Sequence, residues 1–393
     1  MITITDPKWN MEHCTGCSAC VSICPKAALS MGPDRLGFLR PRHAPEQCID
    51  CHLCEQVCPV LHPPTGSSAP EAVAATARDD TLLKQCSSGG VFPLLAKEIL
   101  ARGGAVYGAA FDKDFRVQHI RVDALQDLPL LYSSKYVQSD LRDTFRQAKN
   151  DLNAGIPVCF SGTPCQIAGF KSYLGKDYDH LITLDLVCHS VPSPEIWQHY
   201  KRRLENRQNS RLTTFHFRHK AAGWEAYSLH GEFEDGSAVD SPARTDPYMQ
   251  GFVKGLYSRE SCYHCPFKGI SRCSDLTLGD FWGTHAALPQ AYHPMGTSIA
   301  VLHTEKAKKL LPVLPLSTHP LPPEAAFPFN PAALVAAEKP KKHAFFHENR
   351  DTMDFAELVS LCCKPAPREL MKQHWNQSLL CRLLRKIRYL VSS

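Results

Sequence analysis

The chain has 393 residues, 18 cysteines, 19 histidines and a formal net charge of +5. That length suits two or three domains. The mild basicity does not by itself point to nucleic acid, and none is expected as a partner. The start, "MITITDPKWN", lacks a basic n-region and an apolar h-region, and no run approaches eighteen apolar residues. A soluble cytoplasmic protein is expected. There, clustered cysteines point to metal ligation more than to disulfides.

The first sixty residues carry "CTGCSACVSICP" and "CIDCHLCEQVCP". The cysteines stand at 14, 17, 20, 24 and at 48, 51, 54, 58, a constant offset of 34. Cys-x-x-Cys-x-x-Cys wraps three thiolates around one iron–sulfur cube, and the trailing cysteine serves the other cube. The spacing therefore assigns Cys14, Cys17, Cys20 and Cys58 to one 4Fe–4S cluster. Cys48, Cys51, Cys54 and Cys24 take the second. Zinc knuckles are the alternative, but they use paired Cys-x-x-Cys without the third cysteine or the trailing Cys-Pro. The segment from Trp9 to Val60 resembles a two-cluster bacterial-type ferredoxin domain.

"LHPPTGSSAPEAVAATARDD" follows and reads as a linker, with "EAVAATA" open to a strand or turn. Next, "CSSGGVF" offers hydroxyls and backbone N–H groups at a helix start, which suits an anion. The helix reads from about Val91 to Ala101 and is stopped by Gly103 and Gly104. "AVYGAAF" reads as a strand, and "SDLRDTFRQAKNDLNAG" as a helix capped by Ser139. "IPVCF" and "LITLDLV" are buried strands, each followed by a helix, with Ser193 capping the second. This alternation implies a parallel βαβ unit. "TTFHFRHK", "YSLHGEFEDGSAVDS" and "DLTLGDFWG" read as later antiparallel strands. The fold class is α+β: a small ferredoxin domain, then a larger α/β domain with a mixed sheet.

If the two strands are parallel, Cys165 and Cys188 share one carboxyl edge, where open α/β sheets bind ligands. Cys262 and Cys265 in "SCYHCPFKG" would complete a set of four. That set fits a third 4Fe–4S cluster, or a structural zinc on the same sulfurs. Cys273 could replace one ligand. Cys159 and Cys86 read as non-ligands, and Cys362, Cys363 and Cys381 lack ligand spacing.

"SSGGVF", "SSKYVQS", "SGTPCQIAGF", "LDLVCHSVPSP", "SCYHCPFKG" and "LTLGDFWG" occur in the order found in the coenzyme F-420 hydrogenase/dehydrogenase beta-subunit family. The resemblance spans roughly Cys86 to Gly283. It implies a flavoprotein oxidoreductase holding FAD and a 4Fe–4S cluster, with coenzyme F-420 as the best-known hydride carrier. Some relatives accompany polysaccharide biosynthesis. It further implies FAD contacts from Ser87, Ser88, Gly89, Gly90, Ser134, Lys135, Tyr136, Gly162, Thr163 and Pro164. Ser190 stands where the family usually has glycine, a departure that bears on the expected substrate more than on the cluster. His189 reads as a donor to a cluster sulfur or as a cap, and Asp280 as a polar contact.

The expected organisation is a ferredoxin domain over 1–62, a linker over 63–80, a flavin and iron–sulfur domain over 81–320 and a C-terminal extension over 321–393. That extension ends in a basic amphipathic helix, "SLLCRLLRKIRYLVSS", capable at most of weak membrane-surface contact. The expected partner is a redox protein or a hydride carrier. Two other readings stay open: an electron-delivery subunit without its own substrate, and a zinc-bearing scaffold for an anionic sugar or nucleotide. No catalytic acid or base can be named from the sequence.

Overall fold

The computed structural model describes residues 11–67 and 69–364. At its amino end, two short helices follow the two cysteine loops: α1 (Ala19–Ile23) and α2 (Leu53–Gln56). A hairpin of β1 (Leu29–Pro33) and β2 (Leu39–His43) lies between them. The repeat is visible in the backbone. Gly16 and Ser18 have φ of 61° and 62°, and Asp50 and His52, 34 positions on, have φ of 50° and 55°. Each loop therefore turns left-handed at the same two positions. That conformation is costly for Ser, Asp and His, and is kept where surrounding structure demands it.

The larger domain is built on an eight-stranded mixed sheet. Its strands are β3 (Glu71–Ala77), β4 (Ala105–Phe111), β5 (Val117–Val122), β6 (Val158–Gly162), β7 (Leu181–Leu186), β11 (Leu276–Asp280), β12 (Ser298–Leu302) and β13 (Leu316–Leu321). The spatial order is β13-β3-β12-β11-β7-β6-β4-β5. β4, β6, β7 and β11 run parallel, and antiparallel strands close both edges. A second sheet of β8 (Leu212–His219), β9 (Ser228–Phe233) and β10 (Ala238–Pro242) is wholly antiparallel. The chain is thus α+β, as its patterning implied.

Helices α3 (Asp80–Gln85), α4 (Val91–Ala101), α5 (Thr144–Asn153), α6 (Pro164–Leu174), α7 (Pro194–Gln208) and α8 (Pro247–Val253) cover the sheets. α6 is buried along most of its length, from Pro164 through Phe170. One side lies on β6 and β7, and α1 lies on the other. Arg146 of α5 donates to the carbonyls of Val21 and Ser22 at the end of α1, both at 3.0 Å, supplying partners for orphan helix carbonyls. Gln138 locks the hairpin by accepting from the N–H of Leu39 and donating to its carbonyl. The amino-terminal domain is thereby bonded to the larger one.

Four expectations are corrected. The linker is shorter than 63–80, because β3 lies inside the main sheet between β12 and β13. Its alanines resemble linker composition, yet Ala72, Ala74, Ala75 and Ala77 are all buried, where small side chains fit between packed layers. Ser139 caps no helix. Residues around Asp140 run extended beside β5, and α5 begins only at Thr144 after Asp143. β11 belongs to the main sheet and not to the small one, and it is antiparallel only to β12, running parallel to β7 on its other side. Finally, the chain from 321 to 364 is no appendage. Phe346, Phe355, Leu358 and Val359 fill an aromatic core with Trp197, Tyr200 and Tyr257. The basic helix expected beyond it lies outside the described residues. Among the described residues, no helix is long and apolar enough to cross a membrane.

Candidate functional site: three thiol quartets and a cavity

Three groups of four cysteines lie close together in the structure. Burial raises the Cys17 and Cys20 thiols, and the nearby sulfurs of Cys14 and Cys58 add to that, so the four lie together. Cys24, Cys48, Cys51 and Cys54 line one small cavity. Burial raises Cys188 and Cys265, and the sulfurs of Cys165 and Cys262 add to it, which marks these four as the third group. Burial pushes Cys17 and Cys188 up to about 12. Neither is a free thiolate nucleophile at neutral pH. Cys273 stands apart, beside Asp185, Lys171 and Arg272. Cys86 donates to the carbonyl of Leu82, and Cys159 is buried within β6.

Topology explains the third group. β6 and β7 are parallel, with Gly162 opposite Asp185. Their carboxyl ends share an edge, and Cys165 and Cys188 follow them directly. Cys165 sits in the first turn of α6, where the capping residue Thr163 places its hydroxyl 3.2 Å from the sulfur.

The quartets stand in series. Cys20 feels Cys54 of the neighbouring set. Cys17 feels Cys165 of the next. One turn along α6, Gly169 lies so close to Cys17 that an added Cβ would come 2.7 Å from its sulfur. A buried guanidinium occupies the same region. Arg259 donates to the sulfur of Cys165 at 3.6 Å and to Ser261 at 3.0 Å. Burial opposes its charge, but the thiols of Cys262, Cys165 and Cys14 hold it ionised.

The third quartet opens on a cavity of about 430 Å³, which Cys188 helps to line. That is within the range of small-molecule sites. Ser87, Ser88, Gly90, Ser134, Lys135, Tyr136, Gly162 and Thr163 reach its wall. Gly89 and Pro164 do not. The Gly89 N–H is committed to Ser298 at 2.9 Å, and a Cβ there would strike the carbonyl of Ala75. Pro164 is buried at the start of α6. Ser87 accepts from the N–H of Ser134 at 2.8 Å, tying the two serine loops together. Lys135 donates to the carbonyls of Leu130 and Tyr132, and withdrawal from water pulls it down to about 7.

Sequence reasoning missed Arg218 and Arg259 and underrated Asp280. Arg218 donates to both oxygens of Asp280, at 2.8 and 3.1 Å, and to the carbonyl of Ser87. Its guanidinium lies 4.1 Å from the ring centre of Tyr227. Trp224 donates to Asp280 and stacks on Trp282 at 4.7 Å. Only the basic residue close before Cys262 could have flagged Arg259. Nothing local marks Arg218. The His189 ring packs against Phe252, and its Nε2 has no hydrogen-bond partner.

A polar chain runs along this wall. His119 bonds the carbonyl of Ser161 through Nε2 and the hydroxyl of Ser139 through Nδ1. Ser139 accepts from Gln166, whose Oε1 accepts from the N–H of Thr163. Burial pulls His119 down to about 4, so it is a neutral positioning group at physiological pH.

Residues 157–314 match the family model for the carboxyl-terminal region of the coenzyme F420 hydrogenase/dehydrogenase beta subunit. Residues 13–61 match a 4Fe-4S dicluster domain. No curated protein matches. Among solved structures, a chain of the F420-reducing nickel–iron hydrogenase complex from Methanosarcina barkeri is 16% identical. The match covers 73% of this chain and 92% of that one, with a TM-score of 0.45.

Proposed function

We propose that this chain passes single electrons along three iron–sulfur clusters to FAD in the cavity, from which a hydride passes to or from a second carrier. Its residues 157–314 match the carboxyl-terminal region of the coenzyme F420 hydrogenase/dehydrogenase beta subunit, and residues 13–61 match a 4Fe-4S dicluster domain. It is accordingly an iron–sulfur oxidoreductase. The observation that carries the fuller reading is the unbroken series of three thiol quartets, the last opening on the cavity.

In this reading Cys14, Cys17, Cys20 and Cys58 hold the middle cluster. Cys24, Cys48, Cys51 and Cys54 hold the outer one, and Cys165, Cys188, Cys262 and Cys265 the inner one. Sulfur-only donor sets suit iron–sulfur clusters. The amino-terminal Cys-x-x-Cys-x-x-Cys runs with their trailing Cys-Pro favour cubes over zinc there. Cys51 is exposed beside Ile49, which is 56% exposed, so a protein redox partner would meet the chain there.

The cavity's residues fit a flavin. Ser87, Ser134 and Lys135 suit a phosphate, Tyr136 and Trp282 offer flat faces, and the unpartnered His189 Nε2 lies ready for a polar atom of a ligand. A flavin supplies the junction between one-electron clusters and two-electron hydride chemistry. Coenzyme F420 is the first carrier to test. A substrate of polysaccharide biosynthesis is another. The second reading, an electron-delivery subunit, is favoured by the exposure of Cys51 in the outer quartet.

The test is anaerobic. Protein reduced through its clusters should oxidise on addition of the deazaflavin carrier, and protein stripped of flavin should not. Equal carrier reduction with and without flavin would refute the flavin step. Reduction of a partner protein with no reaction toward any hydride carrier would favour the delivery role.

Two smaller predictions belong here. Arg259→Met should lower the potential of the adjoining clusters, because a lost positive charge destabilises the added electron. With an effective dielectric near ~20 and a separation of roughly 6 Å, the effect is about 2–3 kcal/mol, on the order of 100 mV. Arg259→Lys should restore part of it, and potentiometric titration followed by EPR reads both. For Lys135, a folded-state value of about 7 means that its charge is present below that pH and fades above it. FAD binding to the stripped protein should weaken as pH rises past about 7, and Lys135→Met should flatten that slope. A slope equal in both proteins would remove Lys135 from the phosphate site.

A further inference from the structure

Away from the cavity and the cysteines, the outer face of the small sheet gathers imidazoles and carboxylates. The register sets His216 opposite His230, and His230 opposite Asp240. One row across β8, β9 and β10 therefore reads His, His, Asp. A bulge between His216 and His219 changes the alternation. Phe217 and Arg218 are both buried, Arg218 turned to Asp280 in the cavity wall. His219 returns to the outer face. Its Nδ1 lies 3.1 Å from Asp240 Oδ1, and the Nδ1 of His230 lies 3.0 Å from that same oxygen.

A carboxylate accepting from two imidazoles would be the plain explanation. Three features go further. The ligand atoms of His219, His230 and Asp240 all lie within 4.8 Å of one another, and they are the one such group of three or more among the described residues. The two nitrogen–oxygen separations approach the ~3.3 Å edge of a tetrahedron with bonds of about 2.0 Å. The second nitrogen of His230, Nε2, lies 3.4 Å from Glu232 Oε1. That is the carboxylate–imidazole arrangement that fixes a ligating tautomer. His216, with its ring centre 6.4 Å from that of His230, supplies a further imidazole alongside.

We propose that His219, His230 and Asp240 bind a divalent cation of the zinc class, with Glu232 orienting His230. Water or His216 completes four-coordination. The ion would pin three strands together one residue from Arg218. It would thus steady the cavity wall from behind. The proposal does not depend on the identity of the clusters or of the cavity ligand.

The test is calorimetric titration of zinc chloride into the full chain with its iron in place. Asp240→Asn, His230→Ala and Glu232→Gln serve as variants, with iron content and melting temperature measured for each. Wild type should bind one zinc ion about 100-fold more tightly than the Asp240 and His230 variants and about 10-fold more tightly than Glu232→Gln. Iron content should be the same in all four proteins. Asp240→Asn preserves shape, so its loss of zinc cannot be assigned to misfolding when its melting temperature is unchanged. Zinc affinity equal in wild type and variants would overturn the proposal. So would zinc uptake matched by loss of iron, which would place the ion at the cysteines.

Discussion

Cys165→Ala should remove about four of roughly twelve irons per chain and leave the amino-terminal clusters spectroscopically intact. Alanine is the better replacement, because a serine oxygen can still ligate iron. The effect is large because the quartet is a closed set. Cys273 is held beside Asp185, Lys171 and Arg272, and Cys159 is locked in β6. Carrier reduction should stop, while reduction of the outer clusters by a soluble donor continues. A variant that keeps all its iron would show that Cys165 is not a ligand, and would return it to the role of a packed thiol at a helix start.

Arg218→Leu should destabilise the chain by about 3–5 kcal/mol, the usual cost of breaking a buried ion pair from one side. Its side chain is 2% exposed, and that of Asp280 is 17% exposed. Removing the guanidinium leaves Asp280 with the Trp224 N–H as its remaining side-chain donor. It also frees the Ser87 carbonyl, which Arg218 holds at the cavity wall. The double variant Arg218→Leu/Asp280→Leu should recover most of the stability, since no buried charge is left alone. It should still fail to bind the cavity ligand. Chemical denaturation and FAD titration separate the two effects. A single variant within about 1 kcal/mol of wild type would mean that water reaches Asp280 and that the pair is not structural.

The sequence and the structure agree where chemistry imposes spacing. Cysteines at a step of three, repeated with one offset, can wrap a cube in few ways, and the left-handed turns at Gly16, Ser18, Asp50 and His52 follow from that wrapping. The parallel pair β6 and β7 was equally legible, since each strand is largely apolar and leads into a helix with a good cap. Strand β3 was harder to read because alanine suits a linker and a crowded sheet alike. Ser139 looked like a helix cap because Ser-x-x-Arg carries no sign that its hydroxyl is committed to His119, twenty residues earlier.

The two buried arginines were invisible for a related reason. Arg218 owes its place to a bulge that turns two successive residues inward. Arg259 lies between two quartets whose cysteines are distant in sequence. Both depend on tertiary contacts, which no local pattern encodes. The same holds for Gly89, whose neighbour Gly90 lines the cavity while Gly89 itself backs onto β3 and β12.

The most direct test of the three-cluster relay is the iron and acid-labile sulfide content of the wild-type chain, purified without oxygen. About twelve of each per chain are predicted, three cubes of four. About eight of each would confine the clusters to the amino-terminal domain and contradict a relay that reaches the cavity through Cys165.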